Sequence, residues 1–305
     1  MIEIIIFSFN RALQLDTLLT SLIEKWKTPS YRIDILYNTT NHEFEQGYTL
    51  LKQKYPTVFF HKENHKADHY TLREWINPYN LKRLLSSQQL RHPQSDFRSQ
   101  LLNLLKQTPS PFVMFLTDDS MFIRETEIGA EVIDWIKAAP YQRQYSLRMG
   151  LGMDNPGTNV REAENYITWN FYESQRYKCG GNWKYHFSVD GHIYAKEVIQ
   201  DLLSKYIFIH PNSLEAFINV QARRSRFLSE GMAGSKPSIL SYPINMVQQF
   251  VQNESLGVDC KLMNQWFLEG YTMKYPIPAE ISRFQHYPDS LYLYRGNESL
   301  IKKIN

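Results

Sequence analysis

With 305 residues, 43% of them hydrophobic and 21% charged, the chain has the apolar content of a globular protein and enough length for one large α/β domain or two smaller ones. A net charge of +3 is too small for a dedicated nucleic-acid binder, so no nucleic-acid partner is expected. Cys179 and Cys260 stand in no zinc-ligand spacing and read as reduced thiols of a cytoplasmic protein; no stretch approaches the roughly 20 apolar residues that cross a bilayer.

The chain opens on IEIIIFSF, a continuous Ile-rich run of the kind that forms a strand buried on both faces. The run lacks the basic n-region of a secretory signal. It breaks at Asn10-Arg11, and LQLDTLLTSLIEKW then repeats Leu at close to helical period. RIDILYN is a second strand ending in polar NTTN, EQGYTLLKQKY a helix, and VFFHKE a third strand. Strand and helix in alternation predict a parallel sheet with right-handed crossovers. Residues 66–109 are polar and mostly helical, and FVMFLT (112–117) resumes the sheet. SLRMGLGM reads as a strand running into a Gly-containing turn. SVDGHIYAKEVIQDLLSKY reads as turn, strand and helix, and HPNSLEAFINVQAR as a capped helix. SILSYP is a strand, and VDCKLMNQWFLEG a helix closed by Gly270.

FVMFLT ends in two adjacent carboxylates, Asp118 and Asp119, at the end of a parallel strand where open α/β sheets bind ligands. Two like charges repel and resist burial unless something positive joins them. Mg²⁺ or Mn²⁺ does this well, because both prefer oxygen ligands and bridge to substrate phosphates. The plainer alternative is that one Asp caps the next turn and the other is solvated.

The strand breaking at SFNR, the second strand ending in NTTN and the later FLTDDS together resemble the family-2-like GT-A glycosyltransferases. The later segments DGHIYAKEVI, HPNSLEAF, YPINMVQ and LMNQWFLEGY resemble a bacterial subgroup of GT-A-type transferases. The resemblance implies a GT-A (Rossmann-like) α/β fold: a mixed, mainly parallel sheet flanked by helices. In it, residues 1–125 form the nucleotide-sugar-binding half and 126–305 the acceptor-binding half of one continuous domain. It further implies a cytoplasmic enzyme of polysaccharide biosynthesis, acting with Mn²⁺ or Mg²⁺. The donor would be a nucleotide-diphosphate sugar and the acceptor a saccharide or lipid-linked hydroxyl. Two positions depart from the pattern: Thr117 stands where the metal motif usually begins with Asp, and Asn38 where the second strand often ends in an acid.

By this resemblance Ser8, Asn10 and Arg11 surround the nucleotide, and Asn38 or Thr39 holds the base or ribose. Asp119, with Asp118, holds the metal, and His286 is a third metal or diphosphate contact. Arg98, in the helix before FVMFLT, would reach the sugar or phosphate. Each has a plain alternative: Arg11 as a solvated helix-start residue, Asn38 as a turn residue, His286 as a loop histidine, Arg98 as an exposed side chain.

Inverting transfer needs a general base to take the acceptor proton. Asp190 in SVDGHIY and Glu215 in HPNSLEAF are the candidates, though Asn212 followed by Glu215 also matches a helix capping box. Eight aromatics between 165 and 187 recur irregularly. They read as an acceptor wall in which Trp169 and Trp183 stack on sugar faces and Gly180-Gly181 lets the loop move, or else as core. His192 reads as a core histidine and those between 61 and 92 as surface. RRSR (223–226) is a solvated helix end or a peripheral contact with the inner face of a membrane. A nucleotidyltransferase would need a Gly-rich phosphate loop, which the N-terminus lacks. A non-catalytic nucleotide-sugar or carbohydrate binder would share the fold without turnover. Oligomeric state is not legible.

Overall fold

In the computed structural model the described residues are all but 65–67, 155–159, 177–180, 247–253 and 304–305. The opening Ile run is β1 (Ile2–Phe9), buried almost throughout, as a strand covered on both faces must be. α1 (Ala12–Lys25) follows and packs Leu15, Leu18, Leu19 and Leu22 into the core. β2 (Tyr31–Asn38), α2 (His42–Lys54) and β3 (Phe59–Lys62) complete the predicted alternation. The polar stretch that comes next holds α3 (Leu72–Ile76), α4 (Pro78–Ser86), α5 (Gln88–Arg91) and α6 (Phe97–Gln107).

β4 (Phe112–Thr117) is followed by the short β5 (Ser120–Phe122), α7 (Ala130–Ala138) and β6 (Arg143–Ser146). The predicted SLRMGLGM strand ends early. From Leu147 the backbone leaves the ladder, its N–H donating to Gly191 O and its carbonyl accepting from Ser238 N. β7 (Arg161–Glu162), β8 (Tyr166–Asn170), α8 (Phe171–Arg176) and a 3₁₀ turn at Gly181–Lys184 come next. β9 (His192–Ala195), α9 (Lys196–Lys205), α10 (Pro211–Ser225), β10 (Glu230–Gly234), β11 (Ile239–Ser241) and α11 (Cys260–Leu268) follow. Gly270 closes α11 in the left-handed region, as its place after the last helical turn predicts. β12 (Thr272–Lys274), β13 (Ser290–Arg295) and β14 (Glu298–Lys303) form a separate antiparallel sheet.

Among the described residues the main sheet has nine strands in the order β3-β2-β1-β4-β9-β6-β10-β8-β7. β9 and β8 run against the other strands, so the sheet is mixed but mainly parallel. One continuous apolar core lies on both of its faces.

The aromatic stretch is corrected here. Trp169 and Trp183 are buried and meet edge to face at 5.0 Å in a satellite core with Met149, Ile167 and Phe171. A Cβ on Gly231 of β10 would lie 2.2 Å from the Trp169 ring, so that strand is bare there to admit the indole. Their spacing is irregular because a strand, a helix and a 3₁₀ turn each contribute a ring with its own period. Neither indole offers a face to an acceptor. Gly180 lies outside the described residues.

Candidate functional site

β1 leads through α1 to β2 on one side, while β4 pairs with β1 on the other. Such a switch point opens a crevice at the carboxyl ends of the two strands. The register sets Phe7 beside Thr117 and Asp118 N on Phe7 O at 3.1 Å, which presses Ser8–Arg11 against Asp118–Asp119. A cavity of about 1150 Å³ opens over these ends.

Asn10 adopts the left-handed conformation that Asn tolerates better than most residues (φ 57°). Its amide donates to Thr40 Oγ1 and its carbonyl accepts from Thr40 N, both at 3.0 Å, which fixes the turn. The turn points Arg11 back at β4. Asp118 accepts from Arg11 Nη1 and Ser8 Oγ at 2.9 Å and from Phe9 N at 3.1 Å. Burial pushes the Asp118 carboxyl up against the pull of the Arg11 charge. Burial also works against the guanidinium's charge, but Asp118 and Asp119 more than restore it. Arg11 Nε reaches Asn245 Oδ1 at 2.7 Å, so the side chain is locked rather than solvated. Asp118, expected beside Asp119 at the metal, is the buried partner of Arg11 and lines the cavity.

Asp119 keeps the exposure that Asp118 lacks. Its Oδ1 accepts from Thr117 Oγ1 at 2.8 Å, and its Oδ2 stands 3.8 Å from Arg11 Nη1. Thr117 Oγ1 also lies 2.6 Å from Asp190 Oδ1. One hydroxyl proton therefore faces two carboxylates.

Asp190 reaches this place because the next residue, Gly191 (φ 71°), donates its N–H to Phe115 O of β4 at 2.7 Å. Arg148 Nη1 lies 3.5 Å from Asp190 Oδ2 and donates to Ser188 Oγ at 2.8 Å, while its guanidinium stacks 4.1 Å from the Phe284 ring centre. Burial raises the Asp190 carboxyl, against the Arg148 charge. Sequence reading passed over Arg148, whose signal was a lone charge inside the apolar SLRMGLGM.

The predicted Asn212–Glu215 capping box does not form. His210 caps α10, its ring accepting from Ser213 N. Glu215 is free of that task and accepts from Val189 N at 3.0 Å on the cavity wall. Burial first, then repulsion from Asp190, pushes its carboxyl up to about 7.

Asn38 lines the cavity, donating to Glu63 Oε2 at 3.2 Å and accepting from Thr39 N. Thr39 turns away to Glu45 at 3.0 Å, and Thr40 lines the cavity instead. Arg98 is buried, pairs with Glu74 and donates to Tyr206 O at 2.9 Å; it does not line the cavity. His286 packs its ring edge-on against Tyr242, and Gln285 takes its place on the cavity wall. His192 is the core histidine expected, held between Ser146 and Gln144. Among the described residues no group of three or more His, Cys, Asp or Glu is placed to hold a metal ion, and no helix is long and apolar enough to cross a membrane.

No protein-family model matches the chain. Its sequence is 22% identical over 245 residues to the bifunctional glycosyltransferase pgtA of Dictyostelium discoideum, covering 70% of this chain but 27% of that protein. Its structure matches S. aureus TarS 1-349 in complex with UDP at 14% identity and a TM-score of 0.44, covering 78% of this chain and 59% of that one. It also matches mouse xyloside xylosyltransferase 1 in its apo form at 12% identity and a TM-score of 0.35, covering 74% and 83%. In sequence, then, what the chain is similar to is a glycosyltransferase.

Proposed function

We propose that the chain moves a sugar from a nucleotide-diphosphate sugar to an acceptor hydroxyl of a saccharide or lipid-linked sugar. One observation carries this reading. The switch-point cavity is lined by the Arg11–Asp118–Asp119 cluster and also by Glu215, a carboxyl pushed up to about 7. Its volume of about 1150 Å³ suits a ligand larger than a lone nucleotide.

Ser8, Asn10 and Asn38 line the cavity and would border the nucleoside. The residues present fit Mg²⁺ or Mn²⁺ in one form: Asp119, with Asp190 across Thr117, supplies hard oxygens and the donor's phosphates supply the rest. Such an ion, when bound, neutralises charge on a departing diphosphate. Asp118 and His286 stand outside that ligand set. The acceptor hydroxyl gives its proton to Glu215 and its oxygen bonds to the anomeric carbon. The bond from that carbon to the phosphate oxygen breaks, and its electron pair leaves with the nucleoside diphosphate. Glu215 suits this task because a base works best with a pKa near the working pH. Attack from the side opposite the leaving group inverts the configuration.

The test is a thermal-shift screen of UDP, GDP, CMP and dTDP sugars with Mg²⁺ or Mn²⁺, followed by assay of nucleotide release. A ligand at a hundredfold excess over Kd stabilises by about 2.7 kcal/mol. No shift with any donor would sink the proposal. Binding without turnover on any acceptor would favour the non-catalytic binder.

A further inference from the structure

The helices that leave the sheet between β3 and β4 carry an outward apolar face that the core does not use. Leu72 and Ile76, one turn apart on α3, are 77% and 66% exposed, and Leu85 on α4 is 69% exposed. α4 turns Asn80 and Leu84 inward, Leu84 packing on Leu90 and Ile207, while Leu81, Lys82 and Leu85 turn outward at helical spacing. Trp75 and Tyr79, residues suited to a boundary between apolar and wet, are exposed beside them. Side chains of this size exposed together on consecutive elements mark an interaction surface.

The charge on this face chooses the occupant. Between Tyr70 and Gln94 the one acid is Glu74, and Arg98 holds it. Arg73, Lys82 and Arg91 are all exposed. A second copy docking by the same face would set these cations against their equals. An anionic bilayer meets both needs, taking the Leu and Ile side chains into its interface and the cations among its headgroups. We propose that α3, α4 and α5 form a docking surface for an anionic membrane. Gln89 of α5, and His92 and Gln94 just after it, line the cavity, so the docked surface borders its wall. This deepens the transferase reading, on which it rests for the acceptor alone: a cavity beside a bilayer surface suits a lipid-linked acceptor.

The experiment is vesicle flotation of the whole chain, without nucleotide, on phosphatidylcholine alone and on phosphatidylcholine with about one-third phosphatidylglycerol. We expect association with the anionic vesicles only, and its loss in a Leu72→Ser/Ile76→Ser/Leu85→Ser variant whose thermal unfolding is unchanged. Lys82→Glu and Arg91→Glu should each weaken association about fivefold or more, and salt should mimic them. No association of the parent chain, or association indifferent to these variants, overturns the proposal. A dimer in sedimentation velocity that the triple variant abolishes, without vesicle binding, assigns the face to a second copy and also overturns it. UDP binding by calorimetry is read separately, so failure of the donor site and failure of the docking surface are distinguishable.

Discussion

The Arg11 guanidinium lies 2.9 Å from the carboxylate of Asp118, joining residues 107 positions apart at the ends of neighbouring strands. This contact explains how a buried strand can end in two like charges: the protein supplies its own cation. It also splits the pair into an inner carboxylate that holds the β1 turn against β4 and an outer one that faces the cavity.

Removing Arg11 leaves Asp118 buried with no charge partner, which costs about 3–5 kcal/mol. Arg11→Met should therefore lower the urea midpoint sharply. Adding Asp118→Asn should recover much of the loss, since the amide carbonyl still accepts from Ser8 and Phe9 N without a charge to bury. A double variant as unstable as the sum of the singles would show that the two side chains act independently.

Asp119 should behave oppositely. With its carboxylate facing the cavity, Asp119→Ala should change stability by less than about 1 kcal/mol. The same change should weaken Mg²⁺- or Mn²⁺-dependent binding of a nucleotide sugar by at least about tenfold, or roughly 1.4 kcal/mol. Calorimetry with and without metal checks this. Metal-dependent affinity equal to the parent's would take Asp119 out of the donor site.

The N-terminal half was the more legible in sequence because each of its elements has one dominant period. The Ile run could only be a strand, and Leu15, Leu18, Leu19 and Leu22 could only be a helix face. The strand-end position of Asp118 and Asp119 was legible for the same reason. Their different fates were not, because these depend on Arg11, which only the β1–β4 register brings into range. Arg98 and His286 failed for a related cause. A polar residue near a site in sequence can find a nearer partner in space, here Glu74 for one and the Tyr242 ring for the other. Arg148 was missed because its partners, Ser188 and Asp190, lie some 40 residues away.

The burial of Trp183 gives a prediction that separates core from acceptor wall. Trp183 is fully buried, and its indole N–H donates to Met153 O at 2.8 Å. Trp183→Ala should destabilise by about 3–5 kcal/mol. Gly231→Ala should destabilise as well, because its Cβ would meet the Trp169 ring at 2.2 Å. An acceptor-stacking residue would instead raise the acceptor KM and leave the unfolding midpoint in place, and that outcome would restore the wall.

Glu215 predicts opposite effects on stability and on activity. Its carboxyl stands at about 7 in the folded chain against 4.5 ordinarily, so the folded state binds the proton more tightly than the unfolded one. Stability from this group is then complete below about pH 4.5, falls as pH rises towards 7 and levels off above it. Holding it ionised at pH 8 costs about 1–3 kcal/mol. Glu215→Gln removes that cost while keeping an acceptor for Val189 N. The variant should melt about 2–4 °C higher at pH 8 and gain little at pH 5. As the base of the transfer, Glu215 is needed ionised, so parent activity should rise with pH through about 7. The Gln variant should lose about a hundredfold or more in kcat with donor binding retained. A melting scan and a pH–rate profile on the same samples decide it: a stabilised variant that still transfers sugar at the parent rate would move the base to Asp190.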